Sequence, residues 1–279
     1  MPVIIRRGSV QAERKAAGVL FEALVTPETV KSDAARMGRW RLDPGSAAEL
    51  SVPGENIAWI QILQGEGRLT GSEGEHDLTN VNVAFLPPGF QGAFESPNGA
   101  AFLLAEIPDA ARFDPQIAAN PPSFRLIDWT TEPALKSEHD GRMRVYIVTP
   151  KLLGTKAAKG EMIFYPAGEA CPNHHHTGAE HFFYVLQGGG TYYSDGTPMK
   201  MGAGDVVYSH PSEKHYFIND GKEELIFAEF FVPSQNVTVW ENPDKACAWL
   251  PTGKNIKGGV PVRQIKAHSS ALVEVPEDV

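Results

Sequence analysis

The stretch GEACPNHHHTGAEHFFYVLQGGG, residues 168–190, decides what fold and chemistry this chain is expected to have. Three consecutive histidines and a glutamate lead directly into an aromatic, apolar run that predicts a β-strand. His174 and His176 are two residues apart, so in an extended segment they project from the same face. Glu180 begins the next run, and His215 follows on a later predicted strand. Three imidazoles and one carboxylate suit a divalent first-row transition ion, and a merely solvated polar loop is the alternative.

Short runs of β-branched and aromatic residues, separated by glycine and proline, continue on both sides of this stretch. The chain has 27 Gly and 22 Pro, and typical runs are IAWIQILQG at 57–65, VNVAFLPPG at 81–89 and GEMIFYPAG at 160–168. This spacing is typical of a sandwich or barrel of many short antiparallel strands. Helical periodicity is limited to residues 10–24 and 243–250. The sequence therefore predicts an all-β protein.

The two halves of the chain repeat each other. WIQILQGEGRLT at 59–70 aligns with FFYVLQGGGTYY at 182–193, and NVAFLPPGFQGAF aligns with DVVYSHPSEKHYF, which ends at Phe217. Such a duplication indicates two copies of one strand-rich unit. The proline-rich segment 106–124 separates them and reads as a linker. We expect an N-terminal domain with linker at 1–125 and a C-terminal domain with tail at 126–279.

The repeated frame and its histidines resemble the cupin superfamily in its duplicated, bicupin form. The first cupin motif, G-x5-H-x-H-x3-E-x6-G, is matched except that its closing glycine falls one place late, at Gly188. The second, G-x5-P-x-G-x2-H-x3-N, is matched at both ends, with His210 in the proline position. The resemblance implies two tandem cupin-type double-stranded β-helix, or jelly-roll, barrels. It also implies four metal ligands, which are His174, His176, Glu180 and His215.

The donor set and the duplication together predict one divalent transition metal ion per chain. Fe, Mn, Ni, Co and Zn all accept such donors, and Fe(II) or Mn is favoured. The first barrel has apolar or small residues at the equivalent positions, including Gly92 where His215 would align. It is therefore expected to hold no metal and to serve as a packing partner, a pocket wall or a dimer surface. We expect a homodimer.

The strand that follows the histidines predicts which side chains line the metal pocket. Alternation from Glu180 places Phe182 and Tyr184 on the interior face and directs His181 outward. Glu180 and Tyr184 are thus candidate catalytic groups beside the metal. His210 is a candidate proton carrier at the pocket rim, and a capping or packing role is its alternative.

Composition limits the partners and the cellular location. The formal net charge is −9, and lysine and arginine are scattered, so no basic stripe for nucleic acid is present. No run of about 18 apolar residues suggests a membrane span, and the N-terminal residues lack a signal-peptide pattern. Cys171 and Cys247 are too few for a disulfide framework. We expect a cytoplasmic protein that acts on a small molecule, with no nucleic-acid or membrane partner.

The reaction is less determined than the architecture, because one fold hosts many chemistries. The leading interpretation is a dioxygenase-like oxidoreductase that acts on a small phenolic, diketone or carboxylate metabolite. An oxygen-independent metal hydrolase or isomerase is the first alternative, similar in layout to the ureidoglycine aminohydrolases, whose glutamate and glutamine ligands are not reproduced here. A non-catalytic cupin that binds a small ligand is the second alternative.

Overall fold

The computed structural model describes residues 2–266 and divides the chain into two compact units. Among these residues, the N-terminal barrel consists of Gly8–Trp129 and Leu153–Ala157, and the C-terminal barrel consists of 2–7, 130–152 and 158–266. The last part of the tail, residues 267–279, lies outside the described residues. Within the described part of the chain, no helix is long and apolar enough to cross a membrane.

The first strand of the chain, β1 (Val3–Ile5), belongs to the C-terminal barrel. It pairs antiparallel with Val206–Tyr208, and the adjacent Arg6 forms a 2.9 Å ion pair with Asp205. The expected division at residue 125 assigns these residues to the first domain instead. An apolar run of only three residues carries no sign of its distant partner, because sheet pairing depends on tertiary contacts.

The N-terminal barrel is formed by antiparallel strands and one short helix, α1 (Pro27–Val30). Its strands are β2 (Glu13–Ala16), β3 (Val19–Val25), β4 (Arg36–Leu42), β5 (Ser46–Ser51), β6 (Ile57–Gly71), β7 (Gly74–Thr79), β8 (Asn82–Leu86), β9 (Gln91–Ser96), β10 (Ala100–Ile107) and β11 (Arg125–Asp128). They pair in the order β11-β8-β6-β10-β4-β3-β2, while β7 and β9 pair with β6, and β5 pairs with β9. Two 3₁₀ turns, Ala110–Arg112 and Pro115–Ala118, occupy the predicted linker.

The C-terminal barrel has the same all-β character. Its further elements are β12 (Pro133–Ser137), β13 (Met143–Val148), α2 (Pro150–Leu153), β14 (Lys159–Tyr165), β15 (His174–Thr177), β16 (Glu180–Gln187), β17 (Gly189–Ser194), β18 (Thr197–Gly202), β19 (Val206–Ser209), β20 (His215–Ile218), β21 (Leu225–Val232), β22 (Val237–Trp240), a 3₁₀ turn (Pro243–Lys245) and β23 (Trp249–Asn255). The predicted fold class, all-β with two jelly-roll barrels, is confirmed.

Two sheets of the C-terminal barrel enclose its core. Within residues 2–266, one sheet has the order β1-β19-β16-β21-β14-β13-β12-β23 and the other has the order β18-β17-β20-β15-β22. Their facing side chains form one apolar cluster, which includes Phe183, Tyr192, Phe217 and Phe227. Burial of each large side chain of this kind stabilises the fold by about 1.5–3 kcal/mol.

The two helical segments that the sequence predicts are wrong. Residues 10–24 contain the hairpin β2–β3, which turns at Gly18 with a φ of 70°, and β3 pairs with β4. The segment 243–250 forms only a 3₁₀ turn before β23. In both places, pairing with a neighbouring strand outweighs helix propensity, which is a weak preference.

Candidate metal centre

Three of the predicted ligands meet inside the C-terminal barrel. His174 and His176 alternate along β15, and His215 at the start of β20 is the cross-strand neighbour of His174. All three side chains are buried, with exposed fractions between 1% and 8%. Each offers one ring nitrogen, and these three nitrogens all lie within 4.8 Å of one another. The three-histidine cluster therefore fits a divalent metal ion.

Backbone carbonyls orient two of the rings. The Nδ1–H of His174 donates to the carbonyl of Pro172, and the Nδ1–H of His215 donates to the carbonyl of Glu213, both at 2.8 Å. Thr238 Oγ1, 3.1 Å from His176 Nδ1, can accept the proton of that ring. Fixing the proton on Nδ1 leaves the Nε2 lone pair free to bind an ion. Among the described residues, the buried Nε2 of His215 has no hydrogen-bond partner.

A fourth histidine, His181, lies against this cluster, so the prediction that it points outward is wrong. Its side chain is only 2% exposed, and its ring centroid lies 5.0 Å from that of His176 and 5.1 Å from that of His215. Its Nε2–H donates to the carboxylate of the buried Glu229. Within residues 2–266, its buried Nδ1 has no hydrogen-bond partner. A second orphaned ring nitrogen thus lies at the site.

The structure does not bring Glu180 into the cluster. Its carboxylate accepts a hydrogen bond from the hydroxyl of Tyr208, whose ring is stacked on that of Phe182. The interior core cluster instead contains Phe183, which alternates with His181 along β16. The inward residues of β16 are therefore odd-numbered, and the predicted alternation is shifted by one residue.

The other two predicted catalytic residues are also placed away from the histidine cluster. Tyr184 shares the face of β16 that carries Glu180 and Phe182, because alternate residues of a strand share a face. His210 lies in the turn after β19, with its ring edge-on to Tyr208 at 5.6 Å, and its backbone N–H donates to Glu213 at 2.9 Å. These contacts match the capping and packing role that the sequence left open for His210.

The position of the closing glycine in the sequence indicates that His181, rather than Glu180, points toward the cluster. Gly188 has a φ of 70°, and a Cβ there would lie 2.6 Å from the carbonyl oxygen of Glu224, so only glycine fits this corner between β16 and β17. Because sterics fix the position of this glycine, the motif spacing is counted more reliably from Gly188 than from the histidines. Six intervening residues counted back from Gly188 lead to His181 rather than Glu180.

Burial controls the protonation of all four histidines. Desolvation is the largest cause in each case. It lowers the pKa of His174 and His176 well below the usual value, and it lowers the pKa of His181 and His215 to about 3. Neighbouring histidines lower the pKa of His174, His176 and His215 further. For His181, Glu161 opposes the effect of burial on the pKa and Lys159 adds to it. At neutral pH all four rings are uncharged, as metal ligands must be.

These pKa values predict an acid-dependent loss of stability in the metal-free protein. An unfolded histidine takes up a proton near pH 6.5, but His215 in the folded state does so only near pH 3, so folding is penalised as the pH falls through this window. Each such group costs about 1.4 kcal/mol per pH unit within the window. Urea unfolding at pH 7, 5.5 and 4.5 should show a shallower pH dependence for His215→Ala than for the wild type. Equal slopes would contradict the prediction.

An interior charged cluster, formed by Arg144, Lys159, Glu161 and Glu229, lies next to the histidines. Arg144 Nε is 3.1 Å from Glu161 Oε2, and Glu161 and Glu229 are cross-strand neighbours on β14 and β21. Burial raises the pKa of Glu161 to about 7 and also raises the pKa of Glu229. Burial lowers the pKa of Lys159. The histidine cluster is therefore flanked on one side by buried charged side chains.

The cluster of His174, His176 and His215 is the one group of potential metal ligands found among residues 2–266. The N-terminal barrel contributes none of its members. Its position equivalent to His215, Gly92, lies on β9, where a Cβ would be 2.2 Å from the carbonyl oxygen of Thr70. A side chain that could bind a metal does not fit there.

Comparisons with known proteins agree with this architecture. Residues 160–232 match the family described as the cupin domain. An oxalate-binding protein of Thermotoga maritima is 27% identical over 82 residues, which are 29% of this chain and 68% of that protein. A variant of oxalate decarboxylase from Bacillus subtilis has a TM-score of 0.69 at 18% identity, covering 86% of this chain and 79% of that one. A structure titled for the substrate binding mode and a reaction specificity switch in oxalate decarboxylase has a TM-score of 0.68 at 18% identity.

Proposed function

We propose that the C-terminal barrel, whose residues 160–232 match the cupin domain and which is one of two jelly-roll barrels in the chain, is a metal-dependent active site. The observation that carries the proposal is the buried cluster of neutral imidazoles with two orphaned ring nitrogens. Buried polar atoms are almost always hydrogen-bonded, so two unpartnered ring nitrogens that converge in one place fit the donor set of a metal ion. His174, His176, His181 and His215 would hold one divalent ion.

The donor set limits which ion fits. Imidazole nitrogen suits Fe, Mn, Co, Ni and Zn, and oxygen-preferring Ca²⁺ and Mg²⁺ are excluded by the lack of carboxylate donors in the set. We retain Fe(II) or Mn as the preferred ion. Bound there, it would supply Lewis acidity, one-electron redox chemistry and open positions for substrate oxygens.

The chain's own residues shape the space beside the ion. Tyr192 stacks on His215 at 5.7 Å, and its hydroxyl forms a 2.8 Å hydrogen bond with Ser209. Phe231 packs against His181 and His176, with ring centroids 4.7 and 4.9 Å apart. These aromatic walls exclude water and hold the rings in place, so that a small substrate is presented to the metal in an apolar environment.

The reaction that this site supports best is a dioxygenase-like oxidation of a small phenolic, diketone or carboxylate metabolite. The four neutral imidazoles would hold a redox-active ion, and the aromatic side chains would exclude water from the space beside it. A second candidate is an oxygen-independent reaction on a small carboxylate. The names of the similar proteins, which bind or decarboxylate oxalate, favour a small carboxylate as the substrate.

Oxygen consumption separates the two candidates. We expect the Fe(II)- or Mn-loaded protein, screened against small phenols, diketones and carboxylates in an oxygen electrode, to consume oxygen with its substrate and to lose turnover under anaerobic conditions. His215→Ala serves as the control for free metal in solution. Turnover at an undiminished rate without oxygen, or with redox-inert Zn in the site, would instead identify an oxygen-independent enzyme.

A further inference from the structure

A buried lysine lies on the same inner face as the candidate ligands. Lys159, the first residue of β14, is 7% exposed. It is the cross-strand neighbour of Phe231 on β21, which is in turn the neighbour of His181 on β16. Directly paired residues of adjacent strands share a face, so the three side chains form one row across the interior of the barrel.

The ammonium of Lys159 is poorly satisfied for a buried charge. Its Nζ donates one long hydrogen bond, 3.3 Å, to Asn236 Oδ1 and lies 4.1 Å from the centroid of the Phe231 ring. In the part of the chain that the structure describes, it has no ion-pair partner. Lysine is almost never fully buried unless it is paired, and an ammonium has three donors to satisfy. The buried ammonium therefore contributes little to the stability of the fold.

The buried carboxylates nearby lie closer to other groups than to the ammonium. Glu161 lies against Arg144, with 3.1 Å between Oε2 and Nε, and Glu229 accepts the Nε2–H of His181. Both carboxylates attract the ammonium at longer range, but neither lies within ion-pair distance of it. Four neutral imidazoles would leave the charge of a bound divalent ion uncompensated as well. Lys159 therefore has no carboxylate within ion-pair distance among the described residues.

Asn236 links the lysine to the metal centre. Its Oδ1 accepts from Lys159 Nζ, and its Nδ2 lies 3.2 Å from Nδ1 of His176. The side chain of Asn236 is itself buried, with 8% of the residue exposed. One buried amide thus lies between the ammonium and a ligand ring.

We propose that Lys159 is a substrate-binding residue whose ammonium pairs with a carboxylate of the molecule bound at the metal. This inference rests on the proposed function and narrows its substrate class to small metal-chelating carboxylates. Neutral phenols and diketones leave the ammonium unpaired and buried, which is costly, so the pocket discriminates against them.

Ligand binding to Lys159 variants tests the proposal without relying on turnover. The Co(II)-loaded wild type, Lys159→Met and Lys159→Arg are titrated with oxalate, 2-oxobutanoate and the neutral ligand imidazole, by calorimetry and by the Co(II) absorption spectrum. Lys136→Met, which removes an exposed lysine on β12, is the matched control. Metal content is measured first for every protein.

The expected result is a selective loss. Lys159→Met should retain its metal, bind the carboxylates at least about tenfold more weakly and bind imidazole within about twofold of the wild type, since charge-assisted hydrogen bonds are the strong ones. Lys159→Arg should retain part of the affinity for carboxylates. Unchanged carboxylate affinity in Lys159→Met, or metal-loaded wild type that binds no carboxylate, would overturn the inference but leave the metal site intact. A wild type that holds no metal would overturn the proposed function and, with it, this inference.

Thermal melting of the metal-free proteins excludes a purely structural role. Replacing a poorly paired buried charge by an apolar side chain of similar length is often neutral or stabilising. The melting temperature of Lys159→Met should therefore equal or exceed that of the wild type. A large decrease would identify Lys159 as a structural counter-charge for Glu161 and Glu229, and would overturn the proposal.

Discussion

Replacing His215 by alanine should remove the metal ion and abolish activity. The wild type should retain one ion per chain after dialysis, because the described residues contain one cluster of suitable donors. Loss of supporting groups around metal ligands typically costs 10–100-fold in affinity, so loss of a ligand should cost at least about a hundredfold. Elemental analysis of dialysed protein gives the stoichiometry directly.

The control for this experiment is His139→Ala. His139 belongs to the same unit, but its side chain is about half exposed. That variant should keep its metal. A His215→Ala protein with full metal content and full turnover would eliminate the site, and two tightly bound ions in the wild type would show that the N-terminal barrel had been misinterpreted.

The fold should survive the loss of His215. The apolar cluster of the C-terminal barrel contains large buried side chains such as Phe183, Phe217 and Phe227, and it does not depend on an ion. Small metal-organised domains differ, because their ligands substitute for a core. Far-ultraviolet circular dichroism of the variant should therefore match that of the wild type.

The sequence predicted the architecture because that information is local and repeated. Glycine and proline breakers and the duplicated strand pattern were sufficient to predict two jelly-roll barrels. The cluster of His174, His176 and His215 was predicted because two of its members are two residues apart and the third lies in a recognisable second motif. The first strand, Val3–Ile5, could not be placed, since its partner is about two hundred residues away and its pattern is too short to specify it.

The predicted alternation of inward and outward side chains along β16 was wrong. On β14 every residue from Lys159 to Tyr165 is buried, and β16 is buried from His181 to Val185. Strands buried on both faces do not show the polar and apolar alternation that distinguishes inside from outside. The sequence pattern therefore did not predict that Lys159 and Glu161 lie in the interior. For the same reason, the inward face of β16 was assigned one residue off.

A comparison of Glu180→Gln with His181→Ala separates the two possible ligand sets, and we expect opposite outcomes. Glu180 pairs with the hydroxyl of Tyr208 on the face of β16 that carries Phe182, so a neutral amide of the same shape should leave metal content unchanged. His181 lies among the cluster rings with a free Nδ1, so its truncation should reduce metal affinity by a factor on the order of ten to a hundred.

The spectrum of the Co(II)-loaded protein gives this comparison a second readout. Glu180→Gln should reproduce the wild-type absorption bands, whereas His181→Ala should shift them because a nitrogen donor is replaced by water. His76→Ala in the N-terminal barrel provides a control for the loss of a histidine outside the site. If Glu180→Gln lost its metal while His181→Ala kept it, the carboxylate would be the fourth ligand and the inward face of β16 would have to be reassigned. We expect the reverse, because a strand cannot direct two adjacent side chains into the same barrel interior.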